Sequence, residues 1–170
     1  FQQPVLDLLA PSLGRTMLLI VPAWLIGILS GWGIGLGVAL HRSSLCRRAL
    51  SVGAAISLLP PLALAALSHY VIHFELGWDI PDRVVATFVL VLIPLAMTAL
   101  TTEEVYRDLL TSERYMALRG LGWPTRRILL HEGGQQAGVA VTSNLSYVFL
   151  YLLSGSIFVE IIFHLPGLGT

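Results

Sequence analysis

Four stretches of this 170-residue sequence are apolar, uncharged and about as long as a lipid hydrocarbon core is thick. They run from Thr16 to Leu40, Ala49 to Leu67, Val84 to Thr102 and Ala137 to Val159. At 1.5 Å per residue, roughly 20 apolar residues cross about 30 Å of hydrocarbon. No water is available there to satisfy peptide groups, so each stretch must close its own hydrogen bonds. A helix does that, and the alternating pattern of barrel strands is missing. The expected fold class is therefore all-α: a polytopic transmembrane helical bundle of four spans, one domain over residues 1–170. Composition agrees, with 55% hydrophobic and 12% charged residues, where soluble domains carry roughly a quarter charged. A net charge of zero gives no electrostatic case for nucleic acid.

The placement of arginine orients the spans, since every positive side chain is Arg. Arg42, Arg47 and Arg48 lie between the first two stretches, and Arg107, Arg114, Arg119, Arg126 and Arg127 between the third and fourth. The intervening loop, Ser68 to Arg83, sets one Arg against Glu75, Asp79 and Asp82. Positive loops stay in the cytoplasm, which puts both Arg-rich segments inside and both chain ends outside. The single Cys46 then sits on the reducing side, as a small unreactive residue. Phe1-Gln-Gln-Pro4 offers neither an initiator Met nor a basic leader, and the chain reads as a piece of something longer.

Within the first span, Gly27, Gly31 and Gly35 recur every four residues, with Gly33 and Gly37 offset beside them. Small residues at that spacing let helix backbones approach closely in lipid. A nucleotide-binding glycine loop would need a preceding strand, which the sequence does not supply. Pro60-Pro61 and Pro94 are expected to kink the second and third spans.

Residues 103–132 are polar and structured, and form a cytoplasmic segment. Thr101 and Glu104 have the form of a capping box. Ser112 is positioned to cap a helix from Glu113 to Leu121, ended by Gly122 and Trp123-Pro124. On periodicity alone this is an amphipathic surface helix. His131-Glu132 invites a zinc-protease reading, but Gln135 stands where the second histidine is required. His41, His69, His73 and His164 read as scattered, without ligand spacing. No metal site, cofactor or catalytic set is expected.

The fourth span is unusually polar. Asn144, Tyr147, Tyr151 and Ser154 follow a spacing that puts them on one helix face. Polar groups in hydrocarbon demand partners or water, so this face looks toward another helix or a hydrated pathway. The plain alternative is interhelical hydrogen bonding. Glu160 follows near the outer end, and an ionisable group at that depth is a functional candidate.

Two segments carry a family resemblance. Met116-Ala117-Leu118-Arg119-Gly120-Leu121-Gly122 resembles the E-A-A-x-x-x-G motif of bacterial ABC importer permeases, with Met116 at the Glu position and Leu118 at the second Ala. Gly155 to Gly169 is similar to the V-E-T-V-F-x-x-P-G-L-G ending of the fifth helix in dipeptide, oligopeptide and nickel permeases, through Val159, Glu160, Phe163, Pro166, Gly167 and Gly169. The resemblance implies a plasma (bacterial inner) membrane permease subunit carrying helices two to five of six. It implies ABC ATPase subunits, a second permease subunit and an extracytoplasmic substrate-binding protein as partners. It assigns ATPase coupling to Met116, Ala117, Leu118, Arg119, Gly120 and Gly122, and the outer turn to Phe163, Pro166, Gly167 and Gly169. For Glu160 the resemblance implies a structural role holding that turn, whereas the polar face itself suggests that Asn144, Tyr147, Tyr151 and Ser154 line the translocation path, with Glu160 fixing its outer gate. Peptides or a related small solute, a nickel chelate included, would be the cargo. With no Walker-A sequence in this chain, hydrolysis would come from a partner. A non-transport membrane anchor or sensor built on a similar bundle is the alternative, and a membrane-embedded enzyme comes third.

Overall fold

The structure, a computed structural model, describes residues 5–41, 44–57 and 59–169. The described residues form helices and connecting turns, with no strand among them. Helix α1 spans Val5–His41, α2 Ser44–Ser57 and α3 Pro61–Tyr70, which continues as a π-helical turn, Val71–Glu75. Helix α4 runs Asp82–Thr111 and the short α5 Glu113–Gly120. Helix α6, Thr125–Ile128, passes through a second π-helical turn, Leu129–Gly133, into α7, Gly134–Ile162. Three helical stretches are long and apolar enough to cross a membrane, or four if α2 and α3 count as one bent span. The all-α bundle expected from the sequence is the fold observed.

The glycine stripe of α1 makes the central contact. A Cβ built on Gly27 would lie 2.5 Å from Pro94 Cγ, and one on Gly31 would lie 2.6 Å from the Leu95 carbonyl oxygen. At Gly35 the same atom would collide with the Ala99 carbonyl. The helices α1 and α4 therefore touch backbone to backbone, which only glycine permits. Gly33 and Gly37 face open space, so the offset glycines have no part in this interface. Beside the stripe, Ile20, Ala23, Val89, Leu90, Val148 and Leu152 close an apolar core at one half of the bundle. A smaller cluster of Ala39, Tyr106, Leu129 and Ala137 closes the Arg-rich end.

The prolines act differently from one another. At Pro60-Pro61 the second span breaks, and α2 and the α3 stretch meet at 99°. Pro61 opens α3 at its first helical position, where a missing N–H costs nothing. Helix α4 runs through Pro94 without interruption, and the ring packs on Gly27 instead.

Helix α4 also corrects the third span's end. Thr101 and Glu104 lie in mid-helix and cap nothing, because α4 continues to Thr111. Tyr106 and Leu109 are buried three residues apart and keep that extension packed. Glu103, itself buried, stands 3.3 Å from Arg107 and 3.8 Å from Arg47 of α2, joining the two helices at the Arg-rich end.

Candidate functional site

At the Arg-rich end, Ser112 terminates α4 and starts α5. Its backbone is extended, and its hydroxyl accepts a 3.2 Å hydrogen bond from the Tyr115 N–H, which is the N-cap expected from the sequence. The other end of α5 closes in a Schellman turn. The Trp123 N–H donates to the Leu118 carbonyl and the Gly122 N–H to the Arg119 carbonyl. That turn requires Gly122 at φ +84°, a conformation costly to any residue with a Cβ.

Helix α5 is held at its flanks and left bare along its length. Arg114 pairs with Glu132 of the π-helical turn at 2.6 Å. The Arg127 guanidinium lies 4.5 Å from the centre of the Trp123 ring. None of the residues of α5 is buried. Met116, Ala117, Arg119, Gly120 and Gly122 are exposed, and Leu118 is half-buried. Met116 and Leu121, the latter just past the helix end, are 66% and 76% exposed on a segment otherwise rich in Arg. The entry into α7 is fixed nearby, where Gly133 gives the Tyr106 ring room that any side chain would fill.

Helix α7 separates two faces cleanly. Val148 and Leu152 are buried in the bundle and Leu145 is half-buried. Asn144, Tyr147 and Ser154 are exposed and Tyr151 is half-buried, with the two tyrosine rings 6.4 Å apart. The Asn144 amide reaches Thr101 Oγ1 at 3.5 Å. Thr142 and Ser143 turn their hydroxyls back onto the carbonyls of Gly138 and Val139, four residues earlier, which satisfies them without a neighbouring helix. The polar face thus lies on the surface of this chain and away from its own core.

Glu160 ends that helix differently. It is fully buried. Oε1 accepts a 2.6 Å hydrogen bond from the Thr16 hydroxyl of α1, and Oε2 accepts one of 2.9 Å from the Gly169 N–H. Thr16 Oγ1 in turn accepts from the Leu168 N–H at 3.1 Å. A Cβ at Gly167 would strike the Glu160 carboxyl, and one at Gly169 would come within 2.5 Å of the Ile157 carbonyl. The Pro166-Gly167-Leu168-Gly169 turn therefore wraps the carboxylate at contact distance. Phe163, 2% exposed, supports it from the core. Sequence reasoning named Glu160, Phe163 and the glycines but had no route to Thr16.

It also passed over one constellation. His69 and His73 are four residues apart on one helical stretch, and their rings lie 4.8 Å centre to centre. Asp82, the first residue of α4, joins them, and the three ligand-type atoms lie within 4.8 Å of one another. The reading of these histidines as scattered is corrected: i, i+4 is a facing pair on a helix, and that spacing was the available signal.

No protein-family model matches the chain. Curated proteins do. The glutathione transport system permease protein GsiC of Escherichia coli (strain K12) is 28% identical over 177 residues, covering 99% of this chain and 58% of that protein. The protein of the same name from Shigella boydii serotype 4 (strain Sb227) matches with the same identity and coverage, as does that of Shigella flexneri serotype 5b (strain 8401). These relatives bear out the resemblance to importer permeases, and the chain spans 58% of their length.

Proposed function

We propose that the chain is the central part of a permease subunit of an ATP-driven importer, with α5 as the element a separate ATPase grips. The observation that supports this most is α5 itself. It is capped at both ends, tied down by Arg114 and Glu132, yet buries none of its residues and displays Met116 and Leu121 to the surroundings. A helix so firmly placed and so bare is shaped for a partner. Ala117, Gly120 and Gly122 keep one side shallow enough to enter a groove.

In this reading Met116, Ala117, Leu118, Arg119, Gly120 and Gly122 couple the bundle to ATP hydrolysis in the cytoplasm, within segment 103–132. The exposed face of Asn144, Tyr147, Tyr151 and Ser154 meets a second permease subunit across the translocation path. Glu160 and its turn set the outer gate, where an extracytoplasmic binding protein delivers the cargo. A peptide-type solute suits the relatives' name, since glutathione is itself a small peptide. The Arg-rich end faces the cytoplasm of a bacterial inner membrane by the positive-inside rule.

The deciding experiment uses the full-length protein co-expressed with its genomic neighbour ATPase. Ala117→Arg changes an exposed position on a helix that tolerates Arg, so insertion and folding survive. Co-purification of the ATPase is expected to fall at least tenfold, and likewise for Gly122→Arg. Normal co-purification with both variants makes α5 a plain surface helix and favours the anchor or sensor reading. A second expected result concerns α7. Single cysteines at Asn144, Tyr147 and Ser154 should react with small thiol reagents, with reactivity changing when ATP is trapped on the partner. Cysteines at Val148 and Leu152 should stay protected. Equal protection of both faces leaves interhelical packing as the whole role of that polar face.

A further inference from the structure

The geometry points to a binding site for a divalent transition-metal cation, of which Zn²⁺ is the representative, formed by His69, His73 and Asp82. This goes beyond the transport reading and does not depend on it. Two imidazole nitrogens and one carboxylate oxygen are a common donor set for zinc when the fourth position is left to water or an outside ligand. The three ligand-type atoms already lie within 4.8 Å of one another. Tetrahedral zinc, with bonds of about 2.0–2.1 Å, needs its ligands roughly 3.3 Å apart, so small side-chain rotations close the site. Both histidines are half-buried and Asp82 is exposed, which leaves room for those rotations.

Three features distinguish this cluster from a chance ion pair. His73 Nε2 lies 3.0 Å from Asp82 Oδ1, yet the nitrogen is buried and makes no aligned hydrogen bond. A lone pair held there suits coordination better than it suits the observed contact. His69 is braced edge-on by the buried Phe163 ring at 5.2 Å, and a ligand whose orientation is fixed by packing loses little freedom on binding. The histidines also straddle the start of a π-helical turn, Val71–Glu75, a local widening of the helix that recurs at functional sites.

The ion would join the end of the α3 stretch to the first residue of α4, across the loop that contains Gly77 at φ +60°. It would pin that loop next to Phe163.

The test uses tag-free, full-length protein in detergent, stripped with a chelator and titrated with Zn²⁺ against a chromophoric competitor. The wild type should take up one equivalent per chain, and a saturating excess should raise Tm by several degrees, because the ion binds only the folded state. His69→Ala, His73→Ala and Asp82→Asn should each weaken uptake at least tenfold and abolish the Tm rise. Their Tm without zinc should match the wild type, which separates lost ligation from lost folding. His164→Ala, an exposed histidine outside the cluster, should behave as wild type. If wild type and the His69→Ala/His73→Ala double variant take up Zn²⁺ alike, or if neither takes it up, the site is refuted.

Discussion

Replacing Gly31 with Leu is expected to disrupt the bundle, while the same replacement at Gly33, two positions away, leaves it standing. The built Cβ at Gly31 meets the Leu95 carbonyl oxygen at 2.6 Å and Thr98 Cβ at 2.9 Å. The first of these is backbone, which cannot rotate away, so α1 and α4 must separate along their whole contact. Overpacking a tight core costs about 1–3 kcal/mol. Here the cost falls at or above the top of that range, since close approach is itself the source of helix association in lipid. At Gly33 no atom lies within 4 Å, and the leucine points into open space away from the bundle. Fluorescence-detected size-exclusion after a heating ramp reads the difference. Equal melting of the two variants would mean that the α1–α4 contact does not govern stability.

The second large effect belongs to Glu160. In Glu160→Ala the Gly169 N–H loses its acceptor and the Thr16 hydroxyl its buried partner. Each buried polar group left unsatisfied costs about 1–3 kcal/mol, and an empty volume under Gly167 adds to this. Glu160→Gln keeps the volume and one acceptor oxygen, so its loss should be clearly smaller. Hydrogen exchange at Leu168 and Gly169 should accelerate in Glu160→Ala before the rest of the bundle changes. Unchanged protection of those two amides would show that the turn stands without its carboxylate.

The sequence displayed whatever depends on neighbours in the chain. Span lengths, the stripe of Gly27, Gly31 and Gly35, the Ser112 cap and the Gly122 stop all rest on local chemistry within a turn or two of helix. Thr101 and Glu104 misled because S/T-x-x-E at a helix start and an ordinary i, i+3 pair inside a helix look alike. Only the burial of Tyr106 and Leu109 beyond them tells the two apart. Asp82 was hidden for another reason: it reaches His73 from a different helix, and no periodicity links them. Likewise, the polar face of α7 was readable as a face, but its position on the outside of the chain's own bundle depended on which side Val148 and Leu152 took.

Thr16 and Glu160 are separated by 144 positions in the chain, and that separation has a consequence for biosynthesis. A ribosome adding about 5–20 residues per second delivers the carboxylate roughly 7–30 s after the hydroxyl. During that interval the eventual partner of Thr16 is untranslated. A threonine hydroxyl on a helix can bond back to its own preceding turn while it waits. The carboxylate has no comparable local refuge. Its burial can be completed only when α1 is inserted, α7 has crossed beside it and the Pro166–Gly169 turn has been made. The contact therefore forms only after the intervening spans are made, and it joins α1 to the turn that follows α7. Any chain whose spans had inserted in the wrong order would be left with that turn unclamped.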